Sequence, residues 1–201
     1  MTGLDRETLR PSLGRTARIA IAAAVLVGAA SIPFLGCEGR KGEPSGLGKY
    51  RFGTTTRAMV HDGVCQPTEL TDGRKAIWCF ALPPIKVGKR VAEVDAYFLG
   101  SEPPPLPDTA TKEDVAERKK LQEGLPLIEL QLKVRGCDEY EAEQWMSQRF
   151  GKPSPESKPT RKYWYNSFLW AAAFLPSEPG RCLIHLLPLS ENAEIERLKQ
   201  K

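Results

Sequence analysis

Five cysteines and two histidines are the residues of this 201-residue chain that could carry metal, redox or acyl-transfer chemistry. His61 and Cys65 are four residues apart, and Cys182 and His185 are three apart. By type these four could ligate zinc. Gly63 interrupts the first spacing, however, and positions 182 and 185 of a strand point to opposite faces. No metal site is expected. Neither histidine sits in a nucleophile motif. Glu139, Glu141 and Glu143 stand where a helix begins, and there carboxylates serve the helix dipole. No catalytic residue and no cofactor are therefore predicted, and the chain does not read as an enzyme. Cys65, Cys79, Cys137 and Cys182 contain no C-x-x-C. Of their three possible pairings, Cys65–Cys79 across a turn and Cys137–Cys182 from a helix start to a strand are the expected two. Each bridge is worth roughly 2–4 kcal/mol.

The fifth cysteine, Cys37, stands apart. Arg15 and Arg18 precede an apolar run from Ile19 to Leu35, and the segment closes Phe34-Leu35-Gly36-Cys37. Positive charge, hydrocarbon, then a small residue is the pattern of an export signal. An even cysteine count downstream of such a signal fits disulfides formed outside the cytoplasm. The closing tetrapeptide resembles the lipobox of bacterial lipoproteins, with Phe34 where the family usually has Leu. The resemblance implies cleavage before Cys37, lipidation of its sulfur and attachment to a membrane through it. Glu38, in place of the Asp that favours inner-membrane retention, points by the same resemblance to the outer membrane. An uncleaved transmembrane helix is the alternative, and a plain secreted chain another. The run is 17 residues, the short limit for spanning, and Pro33 fits a cleavage region better than a helix end.

The formal charge of +4 drops to +2 once residues 1–36 are set aside. A nucleic-acid partner needs a clustered basic face, so none is expected. Residues 38–49 are rich in Gly and charge and read as a tether. The folded part is expected over 50–201 as a single domain.

Local signals lay out its elements. A short helix is expected over 54–61, capped by Thr54 and ended at Asp62-Gly63. Residues 76–82 read as a strand stopped by Pro83-Pro84. Positions 91–99 and 127–135 alternate apolar with polar, as half-buried strands do. Between them, at about 100–125, lies a Pro-rich insertion whose helix, Thr111 to Glu123, has few apolar residues. Asp138 and Glu141 have capping-box spacing at the head of the strongest helix, 138–150, with Ala142, Trp145, Met146 and Phe150 on one stripe. Strands are expected over 163–175 and 181–187, joined at Ser177-Glu178-Pro179-Gly180. A last short helix follows Ser190.

The class is then α+β: an antiparallel sheet of about five strands with helices mainly on one face, ordered α-β-β-insert-β-α-β-β-α. Each half shows a helix ended by Gly, a nearby Pro (Gly63 to Pro67; Gly151 to Pro153) and a Trp-bearing hairpin (Trp78; Trp164 and Trp170). In this the order over 50–188 loosely resembles the small BamE/SmpA-type envelope lipoproteins. Arg161, Tyr163 and Tyr165 are the candidate binding surface. Alternation would place Tyr163 and Tyr165 opposite Trp164, Phe168 and Trp170, and Tyr and Arg are enriched at contact centres. The reading is a membrane-anchored, non-catalytic domain that contacts another envelope protein or the cell wall. The alternative is a periplasmic ligand carrier or enzyme with a pocket between sheet and helices.

Overall fold

The computed structural model describes residues 45–178 and 180–200. The expectations for the signal segment and Cys37 lie outside them. The architecture is α+β, built on one large antiparallel sheet. A two-stranded hairpin, β1 (Gly46–Leu47) and β2 (Tyr50–Arg51), leads into a 3-10 turn at Arg57–Met59. Then follow β3 (Val64–Glu69), β4 (Lys75–Val87), β5 (Arg90–Leu99), α1 (Lys112–Glu123), β6 (Leu127–Arg135), α2 (Glu139–Phe150), β7 (Arg161–Tyr165), β8 (Leu169–Glu178), β9 (Arg181–Pro188) and α3 (Asn192–Gln200). Seven strands form the main sheet in the order β3-β4-β5-β6-β9-β8-β7, rather than the expected five. β3 to β6 run as a meander. The chain then crosses to the far edge through α2 and returns by β7 and β8, so that β9 closes against β6.

β6 carries the clearest pattern. Leu130, Leu132 and Val134 are buried on one face, opposite Leu186, Ile184 and Cys182 of β9. α2 lies on this first face through Ala142, Trp145, Met146 and Phe150, which join the main core. Asp138 caps α2 by accepting from Glu141 N at 2.8 Å. The reciprocal half of the box is diverted, because the Glu141 carboxylate accepts from Lys89 N at 2.5 Å and so ties α2 to the β4–β5 turn. In the insertion, Thr111 and Asp114 form a complete capping box. α1 buries no residue. It is held by Glu102, which accepts from Arg57, Arg118 and Gln122.

Four expectations are corrected, each for a physical reason. The 54–61 helix is only the 57–59 turn. Three consecutive threonines resist helix nucleation, and Thr55 Oγ1 instead bridges Arg51 N and Lys49 O. The helix-ending echo between the two halves is therefore absent from the first half. β3 was unforeseen: it pairs with β4 although it contains Pro67 and buries no residue, as an edge strand permits. β4 runs on through Pro83-Pro84. Past Phe80 it has β5 on one side only, and the ladder to β5 slips on either side of Leu82, so neither proline falls at a paired position; Ala81 in this slip has φ 53°. Finally, 163–175 is two strands. Asn166 Oδ1 accepts from Phe168 N and Leu169 N, both at 2.8 Å, and turns the chain between β7 and β8.

The helices also divide between the faces. Tyr163, Trp170, Ala172 and Leu187 alternate with core residues of the first face, and together with Ile195 and Leu198 of α3 they form a separate cluster on the second.

Both expected disulfides are present: Cys65–Cys79 joins directly paired residues of β3 and β4, and Cys137–Cys182 joins the start of α2 to β9. Their sequence separations are 14 and 45 residues. Loop-closure entropy then assigns about 3 kcal/mol to the first and about 4 kcal/mol to the second. Urea denaturation of the Cys65→Ser/Cys79→Ser and Cys137→Ser/Cys182→Ser variants should show the larger loss for the second pair.

Candidate functional site

The second face of the sheet holds the chemically varied side chains. Strand register sets them in rows. One row runs Trp78, Tyr97, Glu129, then past β9 to Trp170 and Tyr165. The next holds Asp95, Gln131, His185, Ala172 and Tyr163. A third holds Glu93, Lys133, Leu183, Phe174 and Arg161. α3 covers the β7–β9 end of the first two rows. The rest is partly open to solvent: Trp78, Phe80, Tyr97, Gln131, Lys133, Phe174, Leu183 and Arg161 are half-buried.

The polar groups on this face are paired by short contacts. His185 Nδ1 lies 2.6 Å from Glu129 Oε1, and both residues are 4% exposed. Gln131 donates to the same carboxylate oxygen at 2.9 Å, and the imidazole meets the Phe174 ring edge-on at 5.5 Å. Asp95, also buried, accepts from Trp78 Nε1 at 2.8 Å and from Lys133 Nζ at 2.6 Å. Tyr97 stacks beside Trp78 at 6.3 Å. Burial raises the Tyr97 phenol above its ordinary value, with the carboxylates of Glu129 and Asp95 pushing the same way.

α3 is fastened by ion pairs at its start. The buried Glu191 accepts from Arg74, which also holds Asp72 at 2.7 Å. These partners raise the Arg74 guanidinium, the hydrogen bond to Glu191 first. A cavity of about 140 Å³ lies between the start of α3 and the β3–β4 turn, lined by Leu70, Arg74, Ile128, Glu129, Leu187 and Glu191 among others.

His185 is a satisfied buried histidine, as its apolar neighbours imply. An imidazole held by a carboxylate is also two-thirds of a nucleophile-activating arrangement, but here the pair is sealed under the face. His61, exposed beside the 57–59 turn, is far along the chain from it. The two lie in separate elements, and no cluster of three or more His, Cys, Asp and Glu side chains suited to a metal occurs among the described residues.

The predicted binding surface is only partly brought together. Tyr163 is 3% exposed, packed on Trp170 at 5.7 Å, so it is core and not surface. Tyr165 is exposed, and Lys199 of α3 lies over its ring. Arg161 is half-buried over Phe174. The expected division of faces also fails: Trp170 shares the face of Tyr163, Trp164 lies alone in the main core, and Phe168 is exposed in the turn. The turn at 166–168 resets the alternation. Sequence reasoning missed the Asp95–Lys133–Trp78 group and Glu129, although their alternation with buried apolar residues marked them as one face.

Three outcomes follow. Glu129→Gln should cost about 1–3 kcal/mol, since the ring is left with a poorer partner. Joint replacement of Glu129 and His185 by Leu should cost less than replacing either alone, as a double-mutant cycle in urea would show. For Tyr97 the folded-state value lies above the unfolded value of 10. Its contribution is complete below that pH and is lost as pH rises above it. Thermal melts from neutral to strongly alkaline pH should show Tyr97→Phe losing less stability than the parent above that point. No protein-family model matches this chain, no curated protein matches it, and no solved structure matches it.

Proposed function

We propose that this chain is a bacterial envelope lipoprotein, cut before Cys37 and lipidated there, whose α+β domain binds another envelope protein or the cell wall without catalysis. The observation that carries the reading is the pair of disulfides within one small body, downstream of arginines, an apolar run and Gly36-Cys37. Such bridges belong to oxidising compartments. Two or three acyl chains on one residue give stable anchoring where a single chain is marginal. No helix among the described residues is long and apolar enough to cross a membrane. Glu38 in place of Asp favours the outer membrane over the inner.

The open part of the second face is the binding surface in this reading. Leu183 and Phe174 form an apolar centre, with Lys133 and Arg161 flanking them in their row. Arg135, exposed, stands beyond them. An apolar centre within a polar rim is the anatomy of a modest protein contact. The carrier reading draws on the cavity under α3, whose 140 Å³ or so falls below the 300 Å³ or so of an ordinary ligand pocket, and on an open groove of about 360 Å³ beside Lys133, Arg135 and Leu183, which reaches that size.

Intact mass of the membrane fraction tests the anchor. The parent chain should begin at a diacylated Cys37, and Cys37→Ala should stay at precursor mass. A parent chain that is itself unprocessed overturns the reading. For the surface, Arg161→Glu with Leu183→Asp should abolish co-purification of a crosslinked partner. Tyr140→Ala, an exposed change on α2, should leave it intact.

A further inference from the structure

The point where the described body begins constrains which of its surfaces meets lipid. Seven residues lie between Cys37 and Ser45, so eight Cα–Cα steps connect the two. Fully extended, they reach about 29 Å at most. A domain of this length has a radius of gyration of about 15 Å, hence a width of roughly 39 Å. The connection is shorter than the body is wide, so the surface around Ser45 cannot turn away from a bilayer that holds Cys37.

That surface is built from contacts close to Ser45. Ser45 O accepts from Phe52 N at 2.8 Å, Thr55 bridges back to Arg51 and Lys49, and Arg57 N donates to Leu125 O at 2.9 Å. The 57–59 turn and the end of α1 therefore sit together beside the hairpin. Here Met59 is 58% exposed and Leu121 is 54% exposed. Arg51, Lys119 and Lys120 are exposed around them and offset Glu117 and Glu123. α1 itself is unusual. It is fully capped at its start and fastened through Glu102, yet it buries no side chain in the protein.

We infer that the corner formed by the 57–59 turn and the C-terminal half of α1 is apposed to the lipid headgroups, with Met59 and Leu121 entering the interface. This rests on the anchoring proposed above. Anchoring is also what makes so small a contact sufficient. A short connection gives an effective concentration on the order of 1 mM, so a contact too weak to recruit a free protein is mostly closed once the chain is tethered. Apolar side chains enter the headgroup boundary while lysines and arginines stay with the phosphates.

The test uses the full chain, exported and lipidated in a bacterial host and added to vesicles of phosphatidylethanolamine and phosphatidylglycerol. Trypsin should cut after Lys119 and Lys120 about threefold more slowly on vesicles than in detergent, the factor expected for a contact with Kd of about 0.5 mM at that effective concentration. Met59→Glu with Leu121→Glu should remove the difference. Both positions are exposed, so the fold is kept, and near-ultraviolet circular dichroism checks it. As a second readout, Leu121→Trp should be quenched by vesicles with brominated acyl chains beyond the quenching of the parent chain, and Tyr140→Trp should not. Flotation and intact mass are read on the same samples. A lipidated, floating chain with no protection and no added quenching sinks this inference and leaves the anchor standing. A chain with unmodified Cys37 that does not float sinks both.

Discussion

The pairing of β6 with β9 is the constraint on which the rest of the fold depends. These strands belong to the two halves of the chain, and their register runs from Leu130↔Leu186 to Arg135↔Arg181. On the first face it sets Leu130, Leu132 and Val134 against Leu186, Ile184 and Cys182, all nearly inaccessible. On the second it sets Gln131 against His185 and brings Glu129 into reach of the imidazole. A slip of one residue would reverse both faces at once. It would bury Lys133 in the main core and expose a run of leucines. The register is thus over-determined: hydrophobic burial fixes it from one side and a buried imidazole–carboxylate hydrogen bond from the other, with Cys137–Cys182 closing the end of the seam.

The two faces solve different problems. The first is closed by α2 and by the segment that carries Tyr50, Phe52 and Val60, and it is apolar throughout. The second is covered by α3 only at the β7–β9 end, where Ile195 and Leu198 meet Tyr163, Trp170 and Leu187. Where cover stops, composition changes. Asp95, Lys133, Gln131 and Glu129 satisfy one another instead of presenting bare hydrocarbon, and Trp78 spends its N–H on Asp95. An apolar face left uncovered over the same area would be a liability for association. A polar network of this kind holds the strands apart from neighbours and leaves a small apolar centre, Leu183 and Phe174, available for a specific contact.

Legibility in the sequence followed how local the governing interaction was. β6, β5 and α2 were readable because burial is written into a fixed period, and the α1 cap because Thr111 and Asp114 are three residues apart. The disulfides were readable because four cysteines downstream of an export-like segment have few ways to pair. β3 was hidden because its partner, not its own side chains, holds it: none of its residues is buried. The extension of β4 through two prolines was hidden because it depends on where β3 stops and where the ladder to β5 slips. Tyr163 was misassigned for a similar reason. Straight alternation through 163–175 ignores the Asn166 turn, and that turn decides which aromatic rings end up beneath α3. The placement of α3 on the second face was invisible altogether, since an amphipathic stripe says that a helix packs without saying on what.

The edge strand links the fold to the proposed location. β3 adds hydrogen bonds to the sheet but little burial, and Val64 at its start is 54% exposed. Backbone pairing at an edge is contested by water, so such a strand is prone to fray. What retains it is the Cys65–Cys79 bridge between directly opposed residues, one of them fully buried in β4. The β3–β4 turn is in turn where Arg74 reaches Glu191 and fixes the start of α3. Loss of the bridge would therefore loosen more than the strand, because the helix covering the second face is fastened to the same turn. A reducing environment would remove that bridge, whereas the oxidising side of a membrane preserves it. The export proposed from Arg18, the apolar run and Cys37 thus supplies the condition under which this edge, and the helix that leans on it, can stay in place.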